Sequence, residues 1–494
     1  MAASHTSARA ATPGATVARR RWLSLLVLCS GFLMIVVDMT IVNVALPSIR
    51  RDLGFSQADL AWVVNAYLIA YGGLLLLAGR LGDLIGRKRI FLIGLAMFTV
   101  ASMLCGLSFS QPVLIAARFL QGVGGAVSSA VVLGMVVAMF PEPAERAKAI
   151  GVFAFVASAG ASIGLIAGGV ITQAVSWHWI FFVNLPIGLA TALLAARLLE
   201  PDRGIGFAGG ADVIGAVLVT ASLMLSVYAI VESVHYGVVS AHTLGLGAVA
   251  AILLTAFIGR QATARNPLLP LRLFRSRNLS GANVIQAWMI AGMFGFFFLG
   301  SLDLQRVLHY GPLGIGLAFL PNALAMGGLS VGVSARLITR FGTRSVLLGG
   351  QVLVAVSLAQ LAFGPMTSEY VRDWLLPMVL LGVGAGLAFP ALAILAMADA
   401  TPSDSGLASG LLNTTAQVGG AVGLAALATV SANRTSQLLA AGQSAVSALS
   451  GGYHLAWAIG AGLVLASIGV AATVIRPQPV REAQPAMEEE SVSA

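Results

Sequence analysis

Long apolar runs alternate with short polar segments over almost the whole chain. Most runs are about 20 residues long, which is the length that an α-helix needs to cross the hydrocarbon core of a bilayer. Within the runs, apolar and polar positions do not alternate as they would in the strands of a transmembrane barrel. The pattern predicts an all-α polytopic membrane protein with fourteen transmembrane helices, near residues 22–44, 60–78, 90–109, 112–140, 147–172, 177–199, 212–232, 242–259, 280–302, 313–334, 345–364, 374–398, 406–430 and 453–475.

Composition agrees with a membrane location. The chain has 494 residues, of which 58% are hydrophobic and 10% charged, whereas a soluble protein carries about 25% charged residues. The net charge of +9 is spread over many short loops, which is typical of loops that obey the positive-inside rule and not of a nucleic-acid-binding face. Cys29 and Cys105 lie inside apolar runs, and the six histidines show no ligand spacing. We therefore expect neither a disulfide nor a metal site.

The distribution of basic residues predicts the topology. Of the 28 Lys and Arg residues, 22 fall in segments on one side of the predicted membrane and five on the other. Both termini are therefore expected in the cytoplasm, with an even number of spans. The expected organisation is a disordered cytoplasmic tail (1–20), a six-helix bundle (21–200), two inserted helices (206–260), a second six-helix bundle (278–476) and a cytoplasmic tail (477–494).

A charged turn of related sequence occurs twice. GRLGDLIGRKRIF at residues 79–91 aligns with ARLITRFGTRS at residues 335–345 at an offset of 256. Thr339 stands in the second copy where Asp83 stands in the first. Each copy follows the second helix of a predicted six-helix set, and repeated halves are a common plan of transporters. Chance similarity of two basic turns is the alternative.

Two opposite charges are predicted at similar depth in the membrane. Asp38 lies six residues before the outer end of the first span, about 9 Å from that end. Arg118 lies six residues after Pro112, where the fourth span enters from outside. Intramembrane charges are costly and often functional. Asp38 is therefore a candidate to load and release a proton or to bind a substrate cation, and a structural ion pair is the alternative.

Other acids lie nearer to the predicted membrane surfaces. Asp303 and Glu232 fall near the outer ends of their spans, where either side chain could reach water by snorkelling. Asp303 follows a long apolar run, which keeps a functional role open. Asp83 lies on the inner loop, where it can cap a helix, pair with Arg87 four residues on, or form a gating latch.

Two further patterns bear on mechanism. The fifth span carries a small-residue face that allows close helix packing and bending, formed by Gly151, Gly160, Gly164 and Gly168. The chain has two lysines, Lys88 and Lys148, and neither follows the glycine that a phosphate-binding P-loop requires. There is also no nucleophile–base motif. We therefore expect no enzyme activity, no ATP and no cofactor other than a coupling ion.

Together these stretches resemble the major facilitator superfamily, and within it the branch of fourteen-helix drug:proton antiporters. The resemblance covers residues from about 22 to 475. GRLGDLIGRKRIF resembles the inner-loop signature, and LIAARFLQGVGGA (114–126) resembles the RxxQG signature of the fourth helix. VDMTIVNVALP (37–47), WHWIFFVNLPIG (177–188) and PLLPLRLFRSRN (267–278) resemble other stretches of that branch.

The resemblance implies two six-helix bundles that rock around a central cavity. Proton coupling is expected at Asp38, Arg118 and Asp303. The gating loop is expected at Asp83, Arg87, Gly79 and Arg80. Contacts with the cavity or the substrate are expected at Gln121, Asn43, Trp62, Phe296 and Gln305.

The sequence departs from that branch at three positions. Leu165 follows Gly164 where the antiporter signature has proline, which weakens the argument for antiport. Asp303 stands where an aromatic residue is usual, and His178 where arginine is common.

The leading hypothesis is proton-coupled export of hydrophobic or amphipathic drugs across the cell membrane. The expected partners are a small hydrophobic or cationic substrate and membrane lipid, without nucleic acid, and a monomer is expected. A metabolite symporter or facilitator is the first alternative. A non-transporting receptor or scaffold is the second.

Overall fold

The chain is helical wherever its structure is described. The computed structural model describes residues 13–57, 59–202, 204, 206, 212–365, 369–398 and 405–475, and these residues contain no strand. Twelve helices within this part are long and apolar enough to cross a membrane, and the apolar stretches Ile163–Ala174 and Pro312–Gly328 are shorter. The prediction of an all-α membrane protein is confirmed, and the count of fourteen spans stays a prediction. The predicted tail 477–494 lies outside the described residues.

The helices fall into two sets with a pair between them. The first set comprises α1 (Pro13–Leu53), α2 (Trp62–Ile85), α3 (Arg87–Gly106), α4 (Gln111–Met139), α5 (Pro143–Ala174), α6 (Trp179–Phe182) and α7 (Asn184–Leu198). The pair comprises α8 (Val213–Tyr236) and α9 (Ala241–Thr263). The second set comprises α10 (Arg277–Arg306), α11 (Pro312–Gly328), α12 (Ser334–Phe341), α13 (Thr343–Ala362), α14 (Leu375–Met397), α15 (Ser405–Ala440) and α16 (Ala445–Thr473). A π-helical segment, Leu329–Val333, joins α11 to α12.

One predicted boundary is corrected, and one predicted span contains a local irregularity. Residues 13–20 were expected in a disordered tail, but α1 begins at Pro13, and proline is favoured at the first position of a helix. The span predicted at 177–199 is present as the apolar stretch Trp179–Leu198, in which one residue with helical dihedrals, Val183, separates α6 from α7. Pro186 has no N–H to donate to the carbonyl of Phe182, so a continuous helix would lose that hydrogen bond.

The two sets repeat the same glycine-mediated packing. Gly94 and Gly124 allow α3 and α4 to approach each other closely. A Cβ at Gly94 would clash with the backbone of Ser128, and one at Gly124 would clash with the backbone of Phe98. In the second set, a Cβ at Gly350 would lie 2.6 Å from the Gly384 carbonyl oxygen, and one at Gly384 would lie 2.9 Å from the backbone nitrogen of Val354. Gly94 and Gly350 differ by the offset of 256 found in the sequence, so the repeat extends beyond the charged turns into the packing of the helices.

The most extensive contacts between the sets are those of two related helix pairs, α2 with α15 and α5 with α11, and α1 also contacts α10 and α11. We call the face that carries the α1–α2 and α3–α4 connections the outer face, following the prediction from basic residues. Polar contacts cross between the sets towards this face. Gln57 donates to Ser431 Oγ (3.1 Å), and the Leu313 N–H donates to Gln173 Oε1 (3.2 Å).

The inserted pair is attached to one side of this seam. Its helix α8 packs against α2 and α15, while most of α9 is exposed. Asp212 caps α8 and pairs with Arg260 of α9, and it also accepts from Gln261 (2.7 Å). Burial raises the pKa of the Asp212 carboxyl, but these hydrogen bonds outweigh it and leave the pKa below its ordinary value. Asp212 thus ties the two inserted helices together at one end.

Substitution of two neighbouring glycines in α13 tests whether glycine is needed for the close contact between α13 and α14. We expect Gly350→Ala to cost about 1–3 kcal/mol of stability, because its Cβ overpacks the α13–α14 contact. Gly349→Ala is the matched control, because a Cβ there meets no described atom within 4 Å. Thermal unfolding of the purified protein in detergent measures both. Equal melting temperatures for the two variants would contradict the packing role.

Candidate functional site

A buried ion pair joins α1 to α4. Arg118 Nη1 donates to Asp38 Oδ2 at 2.6 Å, and the two side chains are 1% and 0% exposed. Arg118 also donates through Nε to the carbonyl of Val63 in α2 (2.9 Å). Gly122 lets α4 approach α2 closely, because a Cβ there would clash with the carbonyl of Tyr67. The predicted pairing of Asp38 and Arg118 is therefore present in the structure.

Neutral amides complete the hydrogen bonding of the carboxylate. Gln121 Nε2 and Asn184 Nδ2 donate to Asp38 Oδ1 at 2.8 and 3.0 Å. Gln121 in turn accepts from Arg118 Nη1 at 2.7 Å. Asn184 also contacts Ser102 Oγ at 3.0 Å. Four helices, α1, α3, α4 and α7, thus contribute polar side chains to one buried network, which we call the Asp38 network.

Aromatic rings enclose the arginine. The guanidinium carbon of Arg118 lies 4.4 Å from the centre of the Tyr67 ring and 5.8 Å from that of Phe181. Such contacts stabilise a cation that is shielded from water. Tyr67 stacks on Tyr71, whose hydroxyl is 2.7 Å from Ser129 Oγ. Tyr67 and Phe181 are themselves fully buried, so the guanidinium packs against rings that are shielded from solvent.

Asp303 belongs to a different cluster. Its carboxylate is 3% exposed and accepts from Trp374 Nε1 at 3.2 Å. The Trp374 ring packs against Phe296 and Trp457. No hydrogen bond among the described residues joins Asp303 to the Asp38 network, so the three residues predicted for proton coupling lie in two separate sites.

The residues predicted to contact substrate are dispersed. Gln121 belongs to the Asp38 network, and Phe296 belongs to the aromatic cluster around Asp303. Asn43 donates to the carbonyl of Met39 on its own helix. Two other candidates lie elsewhere: Trp62 packs against Tyr228 of the inserted helix α8, and Gln305 lines a cavity at the outer face.

The predicted gating loop is held within the first set. Asp83 pairs with Arg87 at 3.0 Å, as the spacing indicated. Arg87 Nη1 also donates to the carbonyl of Gly134 in α4 (3.2 Å). Gly79, near the same end of α2, would place a Cβ 4.0 Å from that of Ala130, also in α4. Arg80 lies in the same part of α2. Among the described contacts, Asp83 and Arg87 bind no residue of the second set, so in this conformation they join α2, α3 and α4 to one another.

Sequence reasoning missed Asp202, which completes this loop. Its carboxylate accepts from the backbone N–H groups of Arg87 (2.7 Å) and Lys88 (3.1 Å) and so caps α3. Gly86, at φ 108°, provides the sharp turn that presents these groups. Lys88 Nζ donates to the carbonyls of Ala196 (2.8 Å) and Leu199 (2.6 Å). The segment after α7 is thereby fastened to the α2–α3 loop.

The predicted glycine face of α5 packs against α1. A Cβ at Gly160 would lie 2.9 Å from Leu33, and one at Gly168 would lie 2.8 Å from the Ile41 carbonyl oxygen. Gly164 lies against Thr40 in the same interface. The surroundings of Gly151 lie outside the described side chains. The face therefore serves close packing beside the helix that carries Asp38.

Sequence reasoning also missed Asn184 and Ser102. Asn184 lies within WHWIFFVNLPIG, so the signal was a polar amide inside an otherwise apolar stretch. Ser102 is one of several serines in the spans, and nothing in its sequence neighbourhood distinguishes it.

A buried carboxylate with satisfied hydrogen bonds, set in a helical membrane protein of two related bundles, is the plan of a secondary transporter. The comparisons agree. A family model described as Major Facilitator Superfamily matches residues 28–424, and the chain belongs to this superfamily.

Curated relatives and solved structures resemble the chain over most of its length. It is 38% identical over 452 residues to the puromycin resistance protein pur8 of Streptomyces alboniger, covering 90% of each chain. It is 37% identical over 415 residues to the cephamycin export protein CmcT of Amycolatopsis lactamdurans, covering 84% and 85%. The crystal structure of the POT family transporter PepTSo has the same fold, with a TM-score of 0.67 and 15% identity, covering 92% and 98%.

A double-mutant cycle tests the energetic coupling of the pair. We expect Arg118→Met alone to destabilise the protein by about 3–5 kcal/mol, because it leaves the Asp38 carboxylate buried without its counter-ion. Adding Asp38→Asn should restore part of this loss, so that the two effects are not additive. The measurement is denaturant unfolding in detergent micelles.

The exposed pair of Arg20 and Glu200, at 3.8 Å, supplies the control. Glu200→Gln should change stability by at most about 1 kcal/mol. Additive effects of Asp38→Asn and Arg118→Met would contradict the coupling.

Proposed function

We propose that the chain exports hydrophobic or amphipathic compounds, such as antibiotics or other drugs, in exchange for protons. The observation that carries the proposal is the Asp38 network: a carboxylate fully buried beside Arg118, in a chain similar to proteins named for drug resistance and export. The membrane concerned is the cell membrane, with both termini in the cytoplasm.

In this mechanism Asp38 alternates between charged and protonated forms. The charged form fits the present geometry, because Arg118, Gln121 and Asn184 all donate to it. Protonation removes the charge that attracts Arg118 and loosens the joint between α1 and α4. Because α1 also packs on α5 and contacts α10 and α11, movement at this joint reaches the second set. The proton gradient would thereby drive the rocking of the halves.

The substrate is held by apolar and aromatic walls, which suit the hydrophobic part of a drug. Partly exposed rings on two facing helices, Phe32 of α1 and Phe294 of α10, are available for this contact. The proton is the coupling ion. We infer no ATP, no enzymatic reaction, no nucleic acid and no partner protein, with membrane lipid around a monomer.

One observation favours a second candidate. Leu165 occupies the position where the antiporter signature has proline, and α5 is one continuous helix there. A proton-coupled symporter or a facilitator of a metabolite is therefore the alternative. Uptake with the proton gradient, instead of extrusion against it, would identify it.

Removal of the carboxylate tests the coupling role. We expect Asp38→Asn to abolish proton-driven drug efflux from proteoliposomes while the protein still inserts, because the amide carries no titratable proton. Proton flux is recorded with an internal pH dye against a panel of lipophilic cations, neutral drugs and acids. The control is Asp59→Asn, which alters an acid near the outer end of α2 that bonds to Ser56. Efflux by Asp38→Asn at the rate of this control would overturn the assignment.

Removal of the loop acid tests gating separately. We expect Asp83→Asn to slow transport severalfold with unchanged substrate affinity, because it releases Arg87 from its 3.0 Å pair without touching the Asp38 network. Turnover and equilibrium binding are measured on the same preparation. The matched control is Thr339→Ala in the second copy of the turn. Wild-type turnover in Asp83→Asn would exclude a gating role.

A further inference from the structure

A cationic cavity opens at the outer face where the two sets meet. Its volume is about 490 Å³. The walls come from both sets, since α1 and its outer turn contribute Pro47, Arg50, Arg51 and Phe55, and α10 contributes Gln305 and Arg306. None of its lining residues is acidic. Three guanidinium groups thus share one cavity across the seam.

The arginines retain unused donors. Arg50 donates through Nε to the carbonyl of Phe55 (3.1 Å), and Arg306 donates through Nη1 to Gln57 (3.3 Å). Arg306 Nη2 is shielded from solvent and forms no hydrogen bond of standard geometry among the described residues, although the Arg306 side chain interacts with the buried hydroxyl of Tyr453. A shielded donor without a partner is unfavourable, and so is the mutual repulsion of like charges.

Nearby acids are directed elsewhere. Asp52 follows Arg51 in the chain, but its carboxylate accepts from Trp177 Nε1 at 2.8 Å. Asp303 precedes Arg306 by one helical turn, but its carboxylate accepts from Trp374. The protein's own carboxylates on these helices therefore do not neutralise the cavity.

We propose that this cavity binds a phosphate-type oxyanion, either free in solution or as a lipid headgroup. Guanidinium groups bind such oxyanions through paired, charge-assisted hydrogen bonds. The anion would accept hydrogen bonds from the free donors of Arg51, would be attracted by the charges of Arg50 and Arg306, and would relieve the repulsion among the three arginines. This site is distinct from the Asp38 network and goes beyond the transport function proposed above.

The position of the site couples binding to conformation. Arg50 and Arg51 belong to the first set and Arg306 to the second, so one anion can contact both only while the outer ends are together. Ligands that bind one conformation better shift the population towards it. The bound anion therefore favours the conformation with a closed outer face.

A distance measurement tests this without any transport assay. Spin labels are placed at Phe109→Cys and Ala441→Cys, which are exposed at the outer ends of the first and second sets. The native Cys29 and Cys105 are buried. The protein is held in a non-ionic detergent, and either inorganic phosphate or phosphatidylglycerol is added at ionic strength matched with chloride. We expect either anion to increase the short-distance population.

Three variants assign the residues. Arg51→Gln is the main test, because the Arg51 side chain makes no hydrogen bond or ion pair among the described residues. We expect it to raise the anion concentration at half-saturation about tenfold, which corresponds to the loss of one charge-assisted contact. Arg306→Gln should weaken it similarly but also disturbs the contact with Gln57. Arg434→Gln removes an exposed arginine of α15 that does not line the cavity, and it should respond as the wild type does.

The outcomes separate the sources of the anion. A response to phosphate supports a free anion, and a response to phosphatidylglycerol alone supports a lipid headgroup. No response of the wild type to either probe would overturn the proposal. An unchanged response in both Arg51→Gln and Arg306→Gln would overturn the assignment to this cavity. If the protein showed no drug-coupled proton flux, the response of these distances to the anions would still be measurable. The two proposals are therefore tested separately.

Discussion

The cost of burying Asp38 constrains the first set of helices. A carboxylate that is 0% exposed within a membrane protein must be paired and hydrogen-bonded, because an isolated charge there is strongly unfavourable. Its donors come from α4 and α7, and Arg118 is held in turn by a carbonyl of α2. A displacement of any of these helices leaves a donor or acceptor unsatisfied. The network therefore couples the protonation of one side chain to the relative positions of several helices.

The second set has the same helix packing without this network. Gly350 and Gly384 repeat the close contact of Gly94 and Gly124, and the α4–α14 alignment from these glycines places Met378 opposite Arg118. Met378 is fully buried and apolar. The acid of the second set, Asp303, accepts instead from the indole of Trp374. The repeat thus preserves the backbone contacts, while the ion pair belongs to one half.

Sequence reasoning succeeded where a physical rule acts along one helix. The lengths of the apolar runs predicted the membrane helices. The depths of Asp38 and Arg118, counted from the ends of their spans, predicted that the two side chains lie at a similar level in the membrane. The i, i+4 spacing gave the pair of Asp83 and Arg87. It failed where distant segments meet: Asp202 caps a helix that begins 115 residues earlier, at Arg87. Asn184 is a second example, because the sequence does not indicate which distant residue its amide binds in the folded protein.

The two charged turns, at residues 79–91 and 335–345, differ in the contacts that their side chains make. Thr339 replaces the acid in the second copy and donates to the carbonyl of Arg336 within its own turn, so it provides no charge for a neighbouring arginine. Arg344 instead donates to the carbonyl of Ala471 at the end of α16. In the first copy, Lys88 donates to the carbonyls of Ala196 and Leu199 at the end of α7. Both turns thus use a basic residue to fasten the last helix of their set, and only in the first does an acid also bind α3 to α2. Because this additional bond lies within one set, its effect on conformation must act through the shape of that set.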